Sequence, residues 1–259
     1  MFKAIPLFSG SAGNCTYIKY GDDEILVDAG VSCKQIQTAL QSIGSDLAKI
    51  KGILITHEHT DHIKGLEMIS KKYCIPIYIN KGSLDGIEKE STKIMVSAFA
   101  DIKNAGDSVD IGGIHADIFK TPHDACGSVG FRFTFSDGLS LGYATDIGYI
   151  TKGIASSLFG CDSVILESNH DIAMLKGGDY PYHLKARIMS DRGHLSNASC
   201  AEFLPHLFEH GTKKVVLAHL SEHNNTPVLA YSENLEAMKR AGIDPAEFKL
   251  TVAKKSILE

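Results

Sequence analysis

A single α/β domain, with strands packed inside and helices outside, is the architecture predicted for this chain of 259 residues. Three observations lead to it. Apolar runs of strand type alternate with helical periodicity from one end to the other. No Pro-rich or Ser-rich linker and no low-complexity tract interrupts them. The pattern restarts past residue 120, so residues 1–120 and 121–259 read as two similar βα-rich halves of one domain spanning 1–259.

Taken in order, KAIPLF, CTYIKY and EILVDA read as strands of one sheet, separated by the turns SGSAGN and GDD. Ile36, Ala39, Leu40 and Ile43 set a helix over 32–43, which Gly44 ends. GILIT is the next strand, followed by a helix over 61–72 on the period of Ile63, Leu66, Met68 and Ile69. IPIYI, a short helix near residue 84, the run IMVSAF and the pair DSVDIGG and IHADIFK complete the first half. SVGFRFTF and LSLGYAT then form a hairpin around Asp137-Gly138, a dipeptide suited to a tight turn. SVILES and KVVLAHL are buried-type strands, with helices near 181–190 and 197–210 between them and a last one over 227–241.

Composition narrows the function classes. A hydrophobic fraction of 44% is that of a globular core, and no run of 18 apolar residues is present to span a membrane. MFKAIPLFSGSAGN is too short in apolar length and too interrupted for a signal peptide. Six scattered cysteines without a CxxC pair fit reduced thiols, and hence a cytoplasmic protein. A net charge of -5 argues against a generally basic nucleic-acid binder, so a polyanionic substrate would have to be drawn by a metal centre and a local patch.

The segment ILITHEHTDHIKGL concentrates the chemistry. His57, His59, Asp61 and His62 fall where a strand hands over to a helix, and side-chain alternation puts His57 and His59 on one face. Three imidazoles and a carboxylate so close make a metal nest. Rigid strand ends are where further ligands belong. His123 follows IHADIFK, Asp146 follows LSLGYAT, His219 follows KVVLA and Asp28 follows EILV. Each alone reads more readily as a turn former, a helix cap or a packed histidine. Their joint order after HxHxDH is what singles them out.

That order resembles the metallo-β-lactamase-fold hydrolases over essentially the whole chain: Asp28 in LVDAG, HEHTDH, His123, Asp146 in ATDIG and His219 in LAHLS. The stretches FSGSAGNCTYI, ESNHDIAML, GDYPYHLKARIMSDRGHLSN and AHLSEHNNTP are similar to the WalJ/YycJ-type branch. The resemblance implies an αββα sandwich, with two mixed sheets flanked by helices and two metals at one edge. His57, His59 and His123 would bind the first metal; Asp61, His62 and His219 would bind the second, with Asp146 bridging and Asp28 orienting a ligand. His115 lies close to His123 in sequence but sits inside a strand-like run. The branch implies a DNA-acting phosphodiesterase, an exonuclease on duplex DNA, with DNA ahead of RNA as partner.

Two divalent ions can hold a bridging hydroxide as nucleophile, so no Ser or Cys need attack. Zinc or manganese suit these ligands, with iron the alternative. Asp61 would be catalytic as well as a ligand, and His194 in RGHLSN is the candidate to stabilise the departing oxygen. Asn169, His170 and His223 are candidates for supporting or substrate contacts. Lys185, Arg187 and Arg192 form a local basic cluster for a DNA backbone. An RNA phosphodiesterase and a glyoxalase II-like thioesterase are the alternatives. SGSAGN lacks the Lys of a P-loop and reads as a structural turn beside the site.

Overall fold

The structure, a computed structural model, describes residues 1–90 and 96–259. Strands β1 (Lys3–Phe8), β2 (Cys15–Tyr20), β3 (Asp23–Val27), β4 (Ile50–Leu54), β5 (Ile77–Ile79) and β6 (Ala100–Ile102) lie side by side in that order. β1 to β3 pair antiparallel and β3 to β6 parallel. The second sheet runs β7 (Ser108–Ile111), β8 (Ile114–Lys120), β9 (Val129–Phe135), β10 (Ser140–Ala144), β11 (Ser163–Glu167), β12 (Lys214–Ala218) and β13 (Lys249–Val252). Its first half is antiparallel and its second half, from β10 onward, is parallel. Both sheets are therefore mixed.

Alternation along the strands assigns the layers. In β3, Ile25 and Val27 face the second sheet, while Leu26 faces the other way; in β11, Ile165 faces the first sheet, while Val164 and Leu166 face out. The central core joins Ile18, Ile25, Val27 and Leu54 to Phe131, Phe133, Leu141 and Tyr143. Outside the first sheet pack α1 (Cys33–Ser42), α3 (Leu66–Tyr73) and α4 (Lys81–Glu90). Outside the second pack α5 (Lys152–Leu158), α8 (Asn197–Glu209) and α9 (Pro227–Arg240). This is the expected αββα sandwich, and among the described residues no helix is long and apolar enough to cross a membrane.

Some boundaries differ from the sequence reading. The expected 61–72 helix is two pieces, α2 (Thr60–Ile63) and α3, broken at Gly65. The break has a tertiary cause: Gly65 N donates to Ala29 O at 2.8 Å, and a Cβ there would stand 2.3 Å from Val31 O. In the run IMVSAF, residues 94 and 95 lie outside the described residues; Ser97–Phe99 form a 3-10 turn, and the strand follows at β6. β13 and α6 (Ile172–Gly177) are too short to announce themselves by periodicity. The helix near 181–190 is α7 (Tyr182–Ile188).

Candidate metal centre

The carboxyl ends of β3, β4, β10, β11 and β12 open on one edge of the sandwich, and each delivers a polar side chain there. Asp28 follows β3, Asp146 lies two residues past β10 and His219 follows β12. All three adopt positive φ (63°, 56° and 57°). Among the described residues only one other non-glycine residue, Cys74, does so. Left-handed backbone at a β-sheet end costs about 1–3 kcal/mol per residue and persists where surrounding contacts hold it.

His57 Nε2 lies 3.0 Å from His59 Nδ1, and His123 Nε2 lies 3.3 Å from the same atom. His123 Nδ1 is 3.0 Å from Gly193 O and must donate to it, which leaves Nε2 with its lone pair toward the other rings. Beside this trio, Asp61, His62 and His219 form a second cluster, with donor atoms within 4.8 Å of one another. Asp146 stands between them: Oδ2 is 3.5 Å from His62 Nε2, and Oδ1 is 3.5 Å from His219 Nδ1 and 4.0 Å from His123 Nε2. The seven ligands expected from sequence thus converge on one centre.

The supporting contacts set ring orientation. Asp28 is fully buried; it accepts from Thr56 N at 2.8 Å and lies 2.8 Å from His62 Nδ1, turning His62 Nε2 inward. The SGSAGN turn is tied to the same loop, since Asn14 N donates to Asp61 O at 2.8 Å and Gly30 N donates to Asn14 O at 2.7 Å. Asn14 Nδ2 also reaches within 3.1 Å of His62 Nε2.

Glu167, at the end of β11, escaped the sequence reading. It is fully buried, with Oε1 2.8 Å from both His194 Nδ1 and His219 Nδ1. Its Oε2 accepts from Ile147 N at 2.8 Å and Leu195 N at 3.0 Å. The strand-end position that marked Asp28, Asp146 and His219 marks Glu167 equally, and was the available signal.

Charge is heavily organised here. Burial opposes charge on His219, but Asp146, Asp61 and Glu167 outweigh it and raise its pKa to about 10. Burial likewise opposes charge on His62, yet Asp146 and Asp28 hold it well above the ordinary range. Burial would raise Glu167, but His194 and His219 keep it below the usual carboxylate range. Where carboxylates are fewer, burial prevails and lowers His57 and His123. Such a set demands positive charge. Asp146 Oδ2 and His219 Nε2, both buried, have no hydrogen-bond partner among the described residues, and three imidazole nitrogens face one another. Divalent cations answer both demands, so the residues present fit them, and N/O donors of this kind take zinc or manganese readily.

The remaining candidates fall at graded distances. His194 is partly exposed, its ring 5.1 Å from that of His123 and 5.3 Å from that of His219. Asn169 Nδ2 donates to His219 O at 2.8 Å. Arg192 donates to His123 O at 3.2 Å, and Arg187 pairs with Asp124. Lys185 instead donates to Lys176 O and Gly178 O, ending α6. His170 is buried beneath the site, with its backbone oxygen accepting from Asn197 N, and His223 stacks edge-on against Tyr180. His115 pairs with Asp110 and Asp117 on the outer part of β8.

Comparison with known proteins identifies relatives of the chain. Residues 23–220 match the family model described as the beta-lactamase superfamily domain. The chain is 36% identical to Exodeoxyribonuclease WalJ of Streptococcus pneumoniae, covering 93% of this chain and 90% of that protein. It is 34% identical to Exodeoxyribonuclease YycJ of Bacillus anthracis over the same shares. Among solved structures, Zn(2+)-bound PqqB from Methylobacterium extorquens superposes with a TM-score of 0.72 at 16% identity, covering 99% of each chain; that likeness concerns the fold alone.

Proposed function

Since the chain belongs to the beta-lactamase superfamily, and within it to the WalJ/YycJ branch, we propose that it is a metal-dependent hydrolase that removes nucleotides from the ends of DNA. The observation that carries the reading is Asp146, a buried carboxylate that adjoins both imidazole clusters: Oδ2 lies 3.5 Å from His62, and Oδ1 lies 3.5 Å from His219 and 4.0 Å from His123. His57, His59 and His123 would hold one ion; Asp61, His62 and His219 would hold another, with Asp146 shared between them. When bound, two such ions neutralise phosphoryl charge and supply activated water at neutral pH.

The chain's own groups do the rest. Asp28 and Thr56 orient His62, and Glu167 orients His219. Glu167 also holds His194 through Nδ1, so His194 Nε2 is the atom free to meet a departing oxygen. An imidazole so placed can move a proton to that oxygen through Nε2. Arg192 and Arg187 provide cations beside the centre for the phosphate backbone. A cytoplasmic location accompanies this reading, since a DNA substrate is found there and the scattered cysteines carry no CxxC pair.

The test is incubation of purified protein with end-labelled duplex DNA and a panel of Mn and Zn. RNA and S-lactoylglutathione are offered at equal concentration, with Asp61→Ala as control. Metal-dependent release of nucleotides from DNA, lost in Asp61→Ala along with part of the metal, is the expected result. Absence of release under every metal would refute the reading.

A further inference from the structure

The metal centre opens on two unequal spaces. On the His194 side lies a pocket of about 220 Å³ lined by Ser11, Tyr180 and Arg187. On the His123 side lies a cleft of about 970 Å³, at the upper end of what ligand sites occupy.

Its walls are unlike the rest of the molecule. The chain carries a net charge of -5, yet among the described residues the cleft wall has two cations, Lys120 and Arg192, against one carboxylate, Asp191. Hydroxyls and side-chain amides make up much of the remainder, including Asn80, Asn104 and Thr121. Into it faces Tyr149, which is 47% exposed and has no aromatic, hydrogen-bonding or ionic partner among the described residues.

Tyr149 is also held rigidly with respect to the centre. It follows Asp146 by three residues, and the intervening Gly148 N donates to Pro122 O at 2.8 Å, next to His123. A Cβ at Gly148 would stand 2.2 Å from the Asp191 backbone, so the Tyr149 loop is wedged between the loops of His123 and Arg192. An unpartnered aromatic face at a fixed distance from the metal ligands, with cations on the same wall, is the construction that holds unpaired nucleic acid by base stacking and backbone charge.

We infer that this cleft is the track for the unpaired strand of the substrate, with Tyr149 stacking on a base and Lys120 holding its phosphates. The inference rests on the reading as a DNA-acting enzyme and extends it, naming single-stranded character next to the cut. An end bound here is frayed from its complement, and the small pocket across the centre is left for what is removed.

A phosphorothioate-linked strand bearing 5-iodouracil at successive positions serves as probe, with fluorescence anisotropy for affinity and irradiation for crosslinks. On the wild-type protein the crosslink is expected at Tyr149. Tyr149→Ala should weaken binding about tenfold, within the range of a lost base stack, and Tyr149→Phe should restore it. Lys120→Gln should reduce the salt dependence by about one released counterion. Crosslinks confined to Tyr180 or Tyr182, or unchanged affinity in Tyr149→Ala, would overturn the assignment. If wild type digests DNA while Tyr149→Ala binds like wild type, this inference alone fails. If wild type neither binds nor digests DNA, the functional reading fails with it.

Discussion

Glu167 Oε1 stands 2.8 Å from His194 Nδ1 and, at the same distance, from His219 Nδ1, so one buried oxygen orients both a candidate metal ligand and a candidate proton donor. Replacing it should separate the two roles by comparison with its partner. His194→Ala is expected to lower kcat on DNA about 100-fold while leaving metal content unchanged. Glu167→Gln should lower kcat as far and also weaken metal affinity about tenfold or more, because His219 loses its orientation. Steady-state kinetics with metal analysis by mass spectrometry reads both. Loss of metal in His194→Ala would make that residue structural.

Asp28 acts on His62 from the opposite side of the centre. Asp28→Asn presents one oxygen where Thr56 N, Thr56 Oγ1 and His62 Nδ1 now share two. His62 then turns less reliably inward. Metal affinity should fall about 10–100-fold, measured by competition with a chromogenic chelator, while fold content by circular dichroism stays near wild type. Unaltered affinity would remove Asp28 from the centre's support.

Gly30 tests the seam between the SGSAGN turn and HxHxDH. A Cβ at that position would lie 1.7 Å from Asp61 O and 2.5 Å from Asn14 N. Both atoms are backbone and have no room to give. Gly30→Ala should destabilise by about 3 kcal/mol and displace Asp61, seen as a lower thermal midpoint together with lost metal. A midpoint equal to wild type would contradict the packing.

His170 should make stability acid-sensitive. Burial lowers its pKa from 6.5 to about 4. The unfolded chain therefore binds a proton as pH falls through 6.5, whereas the folded chain resists until near 4. This contribution is therefore complete above pH 6.5 and is lost on descending toward 4, on the order of 3 kcal/mol. Urea midpoints at pH 7.5, 6 and 5 should fall more steeply for wild type than for His170→Gln. Parallel curves for the two proteins would exclude the histidine as the cause.

The candidate ligands were legible because their chemistry is local in sequence or repeats at a recognisable place. HxHxDH is contiguous, and Asp28, Asp146 and His219 each end an apolar run of strand type. Glu167 ends such a run too, but it stands outside the ordered motifs that single out Asp146 and His219, and the candidates beside it were Asn169 and His170. The break at Gly65 was invisible for a different reason. Nothing in TDHIKGLEMI forbids a continuous helix; the interruption comes from Val31 O and Ala29 O, more than thirty residues away. Lys185 shows the same limit: its sequence neighbours are basic, but its ammonium belongs to the carbonyls of Lys176 and Gly178.

Periodicity and residue type, which act over a few neighbours, were enough to reveal an α/β chain and its candidate metal-ligand types, while the family came from the resemblance of motifs spread along the whole chain. Which atoms face one another depends on contacts across long stretches of chain. Asp146 lies between two imidazole clusters because β10 and β4 come from different sheets that close on a common core of Leu54, Phe131 and Tyr143. Glu167 serves two histidines, and Tyr149 lines a cleft on the far side of His123, for the same reason. Strand pairing and core packing fix distances between residues that no local pattern relates.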